Sequence, residues 1–388
     1  VRRFFNSRRK RVPKKLRVGV IFGGRSGEHE VSIRSAQAII QAFSQKDFEV
    51  VPIAIGKEGK WLSPPQSAQL LPTSLHRLLA LRSDQPSGDV AILGDPSHKG
   101  LITLQGRNSS PVAEKLDVVF PAIHGTFGED GTLQGLLEMA DVPYVGCGVL
   151  ASSCGMDKVT MKCLFVHSGL PICKHIWFLR SQWRSDPDKI IRKIKTSTGL
   201  PCFVKPANLG SSVGVSRAKD KTSLIAAIDL AAEYDRKIIV EEEIDGREIE
   251  CAILGNDEPQ ASLPGEYVVY DQAGKFLDYT EKYANTGNVS FVVPAPLSKS
   301  LTAKIQKMAI QAFQAIDGAG LARVDFFLHR KTGEVLINEL NTMPGLTEVS
   351  GYPKMWQASG LSFTKLLDRL VDLAFERHQE KSLTKTSR

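Results

Sequence analysis

The chain has 388 residues, 42% of them hydrophobic, which is enough for two or three domains with a sizeable core. No apolar run approaches the roughly 20 residues that a membrane-spanning helix needs, so no membrane insertion is expected. The formal net charge of +8 comes from one stretch, because Val1 to Lys15 carries eight Lys or Arg and no acid, leaving 42 basic against 42 acidic side chains elsewhere. A neutral body gives no electrostatic reason for nucleic-acid binding by the fold. The stretch 1–15 lacks the apolar segment of a secretory signal and reads as a disordered basic tail. Cys147, Cys154, Cys163, Cys173, Cys202 and Cys251 form no C-x-x-C pair, so reduced cytoplasmic thiols are expected, without a zinc site or disulfides.

Leu16 to Phe22 reads as a buried strand, Gly23-Gly24-Arg25-Ser26-Gly27 as a glycine turn, and Val31 to Phe43 as a helix. The connecting loop brings Glu28, His29 and Glu30 to the mouth of a parallel sheet, where α/β ligands bind. It does not spell G-x-G-x-x-G, and a generic βα turn explains it equally. Glu49 to Ile55 supplies a second strand. Ser63 to Ser110 is rich in Pro, Ser and Gly, has little periodicity, and reads as an elaborated surface region. Leu116 to Ile123 is a strand ending in His124-Gly-Thr-Phe-Gly-Glu-Asp-Gly131, with a helix following through Met139. His124 at such an edge suits ligand binding or acid–base work, although a lone histidine is more often structural. Composition shifts at Gly146 to Gly155, marking a domain boundary. Asp157 then sits near the start of a helix running to Ser168, where its charge suits the helix dipole.

Leu200 to Lys205 is a strand entering Pro206-Ala-Asn-Leu-Gly-Ser-Ser-Val-Gly214 and a second short strand. Such a loop can cover polyphosphate with N–H and hydroxyl donors while Lys205 neutralises charge, or it can be an ordinary hairpin. It is not a Walker loop, since Lys205 precedes the glycines and no helix follows. Lys237 to Val240 runs into Glu241-Glu242-Glu243-Ile244, and Arg247 to Leu254 is a strand carrying Glu248. An acidic run of this kind is usually solvent-facing, yet one carboxylate can accept hydrogen bonds from a ribose. Gly265 to Ala295 has no regular pattern and reads as a long functional loop. Leu301 to Ile316 is an amphipathic helix, and Ser362 to Phe375 a closing one.

Between those helices, Leu321 to Leu328, a turn at His329 to Gly333, and Glu334 to Asn341 form a hairpin. Alternation puts Arg323 and Asp325 on one face of the first strand, and Glu339 and Asn341 on one face of the second. With Leu328 facing Glu334, Arg323 lies opposite Glu339 and Asp325 is its diagonal neighbour, at roughly 7–8 Å. Two carboxylates and an amide oxygen so placed suit magnesium, which completes its octahedron with water and phosphate oxygens. A solvated hairpin with internally paired charges is the plain alternative.

Taken together, Phe22-Gly-Gly-Arg-Ser-Gly-Glu-His-Glu-Val-Ser32, the His124–Gly131 loop, the Lys205–Gly214 loop and Asn338-Glu-Leu-Asn-Thr-Met-Pro-Gly345 resemble the D-alanine–D-alanine ligases, over about Leu16 to Phe375. The resemblance implies an α/β fold (α+β overall) of the ATP-grasp type. It divides the chain into an N-terminal parallel-sheet α/β substrate domain at 16–150, a central domain at 151–244 and a catalytic domain at 245–388. It also implies ATP and D-alanine as substrates, two Mg2+ ions for which Mn2+ can substitute, an acyl-phosphate intermediate, a role in peptidoglycan precursor synthesis, and a cytoplasmic homodimer.

By the same resemblance, Lys158, Lys205, Ser212 and Lys282 surround the nucleotide, Glu241 lies at adenine and Glu248 at ribose. Asp325, Glu339 and Asn341 hold the metal ions. Glu28 receives the ammonium of the first D-alanine beside His124, and Arg323 with the N–H of Gly345 meets the developing oxyanion. Ser350 holds the carboxylate of the second substrate, and Tyr283, hydrogen-bonded with Glu28 and Ser211, closes the loop. Many relatives carry a bulky apolar residue where this chain has Gly351, so the second pocket is expected to differ in width or shape. Tyr283 favours D-alanine as acceptor. The rival readings are a sister ligase using D-serine or D-lactate, and a nucleotide-binding relative without catalysis.

Overall fold

The computed structural model describes residues 15–81, 88–104, 112–210, 212–269 and 289–385. Residues 1–14 of the basic tail therefore lie outside the described residues, as do Ser211, Lys282 and Tyr283. Three sheets organise the rest.

The first sheet has the order β6-β5-β4-β3-β2-β1-β7. Its strands are β1 (Leu16–Gly23), β2 (Phe48–Ile55), β3 (Trp61–Leu62), β4 (Asp89–Ile92), β5 (Gly100–Leu104), β6 (Val112–Lys115) and β7 (Val118–Pro121). The buried run of β1 pairs in parallel with β2 on one side and β7 on the other, as expected for a strand covered on both faces. From β2 to β6, each strand is antiparallel to the next, so the sheet is mixed and only its ligand-facing strands are parallel. This corrects the reading of the region after Ser63 as surface elaboration. Val90, Ile92, Leu101 and Ile102 are buried there, on strands too short to display a period of two.

One face of this sheet packs Val18, Val20 and Phe22 against Ile39 and Ile40 of helix His29–Ala42 and against Leu366 and Leu370 of helix Phe363–Ser382. The other face packs Ile21, Val51 and Ile53 against Leu133 and Leu137 of helix Thr132–Met139. The second sheet, β10-β9-β11-β8, is antiparallel and comprises β8 (His175–Leu179), β9 (Cys202–Pro206), β10 (Ser216–Ala218) and β11 (Lys237–Glu242). Its core joins Phe178, Val204 and Val240 to Ile191 and Ile194 of helix Pro187–Ser197 and to Leu224 and Ile228 of helix Lys221–Tyr234.

The third sheet runs β15-β14-β12-β16-β17, with β13 (Gln260–Ala261) paired to β12. Here β12 is Gly246–Gly255, β14 Gly265–Val269, β15 Val289–Val292, β16 Gly320–His329 and β17 Val335–Asn341. Gly265 to Ala295, expected as one long loop, thus begins and ends in strands that pair antiparallel. Ile249, Val324, Phe326 and Ile337 face Phe165 of helix Lys158–His167 and Ile305 and Phe313 of helix Lys299–Ala315. The opposite face packs Ala252, Leu254 and Leu321 into the core of the first sheet and carries Glu248, Glu250, Arg323 and Asp325 beside them.

Candidate active site

The β16–β17 hairpin departs from regular pairing. Leu328 faces Val335, Phe327 faces Leu336 and Phe326 faces Ile337, after which the ladder skips Asn338, and Asp325 faces Glu339 while Arg323 faces Asn341. The register expected from the sequence, with Leu328 facing Glu334 and Arg323 opposite Glu339, is corrected by one residue at the turn end and by a second at this one-residue bulge. It has a large consequence, because alternation alone would put Glu339 on the core face with Ile337. The extra residue resets the phase, so Ile337 and Leu340 stay in the core while Glu339 and Asn341 join Arg323 and Asp325 on the polar face.

That face floors a cleft of about 1110 Å³ of atom-free space, counting its open mouth. Glu28, His124, Lys158, Ser212, Glu248, Arg323, Asp325, Glu339, Asn341 and Gly345 all line it. The third sheet, both glycine-rich βα loops of the first and the 206–214 loop of the second therefore meet there. The charges are already matched to one another. Arg323 Nε and Nη2 donate to Asp325 Oδ1 and Oδ2, both at 2.7 Å, and Nε is 3.1 Å from Glu250 Oε1. Lys158 Nζ donates to the carbonyl of Leu209 at 2.7 Å and lies 3.6 Å from Glu339. Desolvation in the cleft opposes charge on Glu339, but Lys158, Lys205 and Arg323 outweigh it and hold this carboxyl well below the usual carboxylate range. Asn341 Oδ1 accepts from the N–H of Met343 at 2.9 Å, which aims its oxygen and leaves a second lone pair. Two carboxylates and an amide form an oxygen-only donor set that fits a hard divalent cation.

Lys158 reaches the cleft from the first turn of its helix, whose N-cap Asp157 accepts from the N–H groups of Val159 and Thr160. One turn later on the same side is Lys162, a residue that sequence reasoning missed. Its side chain is fully buried, and Nζ donates to the carbonyl of Asn338 at 2.8 Å and sits 3.0 Å from Glu241 Oε1. The signal was available as a second lysine four residues after Lys158 on an otherwise apolar helix face. Lys205 Nζ takes the other oxygen of Glu241 at 2.7 Å. Glu241, expected at adenine, therefore has its carboxylate buried between two lysines. Burial raises the Glu241 pKa, yet the two ammonium groups outweigh it and hold the carboxyl far below its usual range.

The substrate-side loops are pinned to β1, β7 and the 341–351 turn. Ser32 Oγ accepts from the N–H of Gly23 at 2.7 Å and donates to the carbonyl of Ala122 at 2.6 Å, and Ser26 Oγ donates to the carbonyl of His124 at 2.9 Å. Gly125 has φ +74°, and a Cβ there would fall 2.5 Å from Glu28 Oε2, so the expected ammonium-binding carboxylate rests directly on a glycine. His124 is buried, with Nδ1 3.0 Å from the carbonyl of Met343 and Nε2 2.9 Å from Ser35 Oγ. A carbonyl only accepts, so Nδ1 carries a proton. Burial disfavours a charged ring, but Glu129 at 3.6 Å, with Glu28, raises the His124 pKa above its usual value.

Ser350, outside the cleft lining, closes the turn by accepting from the Thr347 N–H at 3.2 Å, with the two hydroxyl oxygens 2.7 Å apart. Gly351 is explained by its surroundings, since a Cβ would lie 2.6 Å from Glu250 Oε2 and 2.9 Å from the Phe291 ring. The room that a bulky side chain would take is occupied by Glu250 and by Phe291, whose ring packs at a tilt against Tyr267 with centroids 4.7 Å apart.

Two family models match the sequence, the D-ala D-ala ligase N-terminus over residues 17–147 and the D-ala D-ala ligase C-terminus over residues 164–372. The chain belongs to the D-alanine–D-alanine ligase family. A D-alanine–D-alanine ligase of Natranaerobius thermophilus is 49% identical over 373 residues, covering 96% of this chain and 98% of that protein. One from Heliobacterium modesticaldum is 48% identical over 375 residues, with the same coverage of 96% and 98%. Among solved structures, the D-alanine–D-alanine ligase of Coxiella burnetii superposes with a TM-score of 0.79 at 36% identity, over 95% of this chain and 96% of that one. The VanG D-Ala:D-Ser ligase of Enterococcus faecalis gives a TM-score of 0.80 at 35% identity, over 93% and 100%. The three-sheet α/β architecture is thus the ATP-grasp architecture of these ligases. Among the described residues, no helix of this family member is long and apolar enough to cross a membrane.

Proposed function

We propose that this chain joins two D-alanines to D-alanyl-D-alanine at the expense of ATP, forming ADP and phosphate, in the cytoplasmic supply of peptidoglycan precursors. The observation that carries the reading is the convergence on one cleft of Asp325, Glu339, Asn341 and Arg323 from the bulged hairpin, Lys158 from the central region, and Glu28 with His124 from the first sheet.

In this reading, Asp325, Glu339 and Asn341 hold two magnesium ions, for which manganese can substitute. The ions offset phosphate charge while a phosphoryl group is transferred. Lys158, Lys205, Ser212 and Lys282 hold the nucleotide over the hairpin, Glu248 accepts from its ribose, and Ser211 acts with Glu28 and Tyr283. Glu28 binds the ammonium of the first D-alanine, so that its carboxylate oxygen attacks the terminal phosphorus and ADP leaves. The amine of the second D-alanine then attacks the acyl carbon, with its own carboxylate held at Ser350, and phosphate departs.

Arg323 and the N–H of Gly345 meet the charge that grows on the acyl oxygen, a contribution of about 2.7–4 kcal/mol per donor. For this, the Arg323 fork, which donates to Asp325 in the structure, would turn toward the acyl oxygen. Tyr283 closes the site and excludes water that would hydrolyse the acyl phosphate. A homodimer and the division at 16–150, 151–244 and 245–388 belong to the same reading. Phosphate release measured with D-alanine, L-alanine or no amino acid, with and without magnesium, tests it, together with the product mass. Release that needs both D-alanine and magnesium, with a dipeptide product, is expected. A depsipeptide or D-Ala-D-Ser product alone would remove D-alanine as acceptor, and nucleotide binding without turnover would remove the enzyme.

A further inference from the structure

We propose that Lys162 is a positioning residue for the divalent-ion site, holding the β17 bulge in the form that presents Glu339 to Asp325. The inference rests on the reading of Asp325, Glu339 and Asn341 as metal ligands. Lys162 is 0% exposed, and a buried ammonium is costly unless it is paired and hydrogen-bonded. Pairing alone does not account for it. Glu241 already has Lys205 at 2.7 Å, so one carboxylate faces two lysines, and the second lysine needs another reason to be there.

The reason lies in where its proton points. Nζ donates at 2.8 Å to the carbonyl of Asn338, the residue that the β16–β17 ladder skips. A bulge interrupts the cross-strand bonding at that point and needs an outside partner for its exposed backbone group. Lys162 supplies that partner from a helix whose preceding turn carries Lys158, 3.6 Å from Glu339 itself. Neighbouring residues of one strand are thus fixed by successive turns of one helix, Glu339 through its carboxylate and Asn338 through its carbonyl. If the bulge relaxes, period-two alternation drives Glu339 toward the core face of Ile337.

The test is calorimetric binding of ADP to the full chain with and without Mn2+, in the parent and in K162M, with circular dichroism and thermal melting to establish folding. The readout is the ratio of the two affinities, which a lysine acting only as structural filler leaves unchanged. Loss of an outer-shell partner costs a metal site about 10–100-fold, so K162M is expected to lower the manganese-dependent ratio about tenfold or more while metal-free ADP binding changes little. In an E339Q background, K162M should lower the ratio no further. If K162M does not fold, the one-atom-shorter K162Q carries the same comparison, and failure of both to fold overturns the proposal in favour of a purely structural lysine. A folded variant with the parental ratio, or equal losses with and without Mn2+, also overturns it. A parent whose ADP affinity ignores Mn2+ refutes the metal reading itself, which separates that failure from the failure of Lys162.

Discussion

Replacing Glu241 by Gln keeps the shape of the side chain and removes one buried charge. Glu241 and the Lys162 side chain are nearly inaccessible, at 3% and 1% exposure, and Lys205 is 10% exposed, so solvent cannot take over the lost interaction. Removing one member of a buried ion pair costs about 3–5 kcal/mol, because the partner remains as an uncompensated charge. For a cooperative unit of 150–250 residues, each kcal/mol corresponds to about 2–4 °C, so E241Q should lower the melting midpoint by about 6–20 °C.

The pH dependence sharpens the test. The Glu241 carboxyl is lowered from 4.5, so the stability it contributes is complete above that value and lost only as pH falls below it. Lys205 is raised from 10.5, because Glu241 and Glu339 outweigh the opposing effect of burial, so its contribution is complete below 10.5 and lost only at higher pH. Parent-minus-variant differences measured by scanning calorimetry should therefore be equal at about pH 6 and pH 9. A shift under about 2 °C, or one that changes across that window, would refute the picture of a permanently charged, solvent-excluded cluster.

Glu339→Gln acts differently, because its side chain is 32% exposed at the cleft. It should leave the melting midpoint within a few degrees of the parent and weaken magnesium dependence by about 100-fold or more, measured from turnover against free Mg2+. Arg323→Lys keeps a positive charge but loses the fork that spans Asp325 and Glu250, and kcat should fall by about 10²–10³ with smaller changes in KM. Gly125→Ala must adopt a left-handed backbone at a cost of about 1–2 kcal/mol and displace the Glu28 carboxylate. Raised KM for the first D-alanine, with ATP affinity unchanged, is the expected kinetic result. Deletion of 1–15 should leave turnover nearly unchanged, which a direct rate comparison checks.

The elements with long apolar runs were legible in the sequence. Leu16 to Phe22 could only be a buried strand, and Leu301 to Ile316 could only be a helix with one apolar face. Four motifs carried the family and part of the list of candidate site residues, Glu28, His124, Lys205 and Glu339 among them. What stayed hidden depended on contacts between distant segments. The bulge at Asn338 is only hinted at by the pattern around it, where the apolar Ile337 and Leu340 stand three residues apart, and Lys162, 176 residues away, holds its carbonyl. Glu241 begins an acidic run that looks solvated, and only the arrival of Lys162 and Lys205 makes its burial tolerable. Gly351 pointed to a second pocket of different width or shape, and the sequence does not reveal that Glu250 and Phe291 lie against it.

The central claim is that the bulged hairpin gathers the cations that hold ATP for attack by an amino acid. Crystals grown with ADP and Mn2+ test it through anomalous scattering. Peaks bridged by Asp325, Glu339 and Asn341, with the diphosphate against them and Lys158 and Lys205 alongside, are the predicted result. Ordered nucleotide phosphates elsewhere, with no anomalous density at the hairpin, would contradict the account whatever the family likeness.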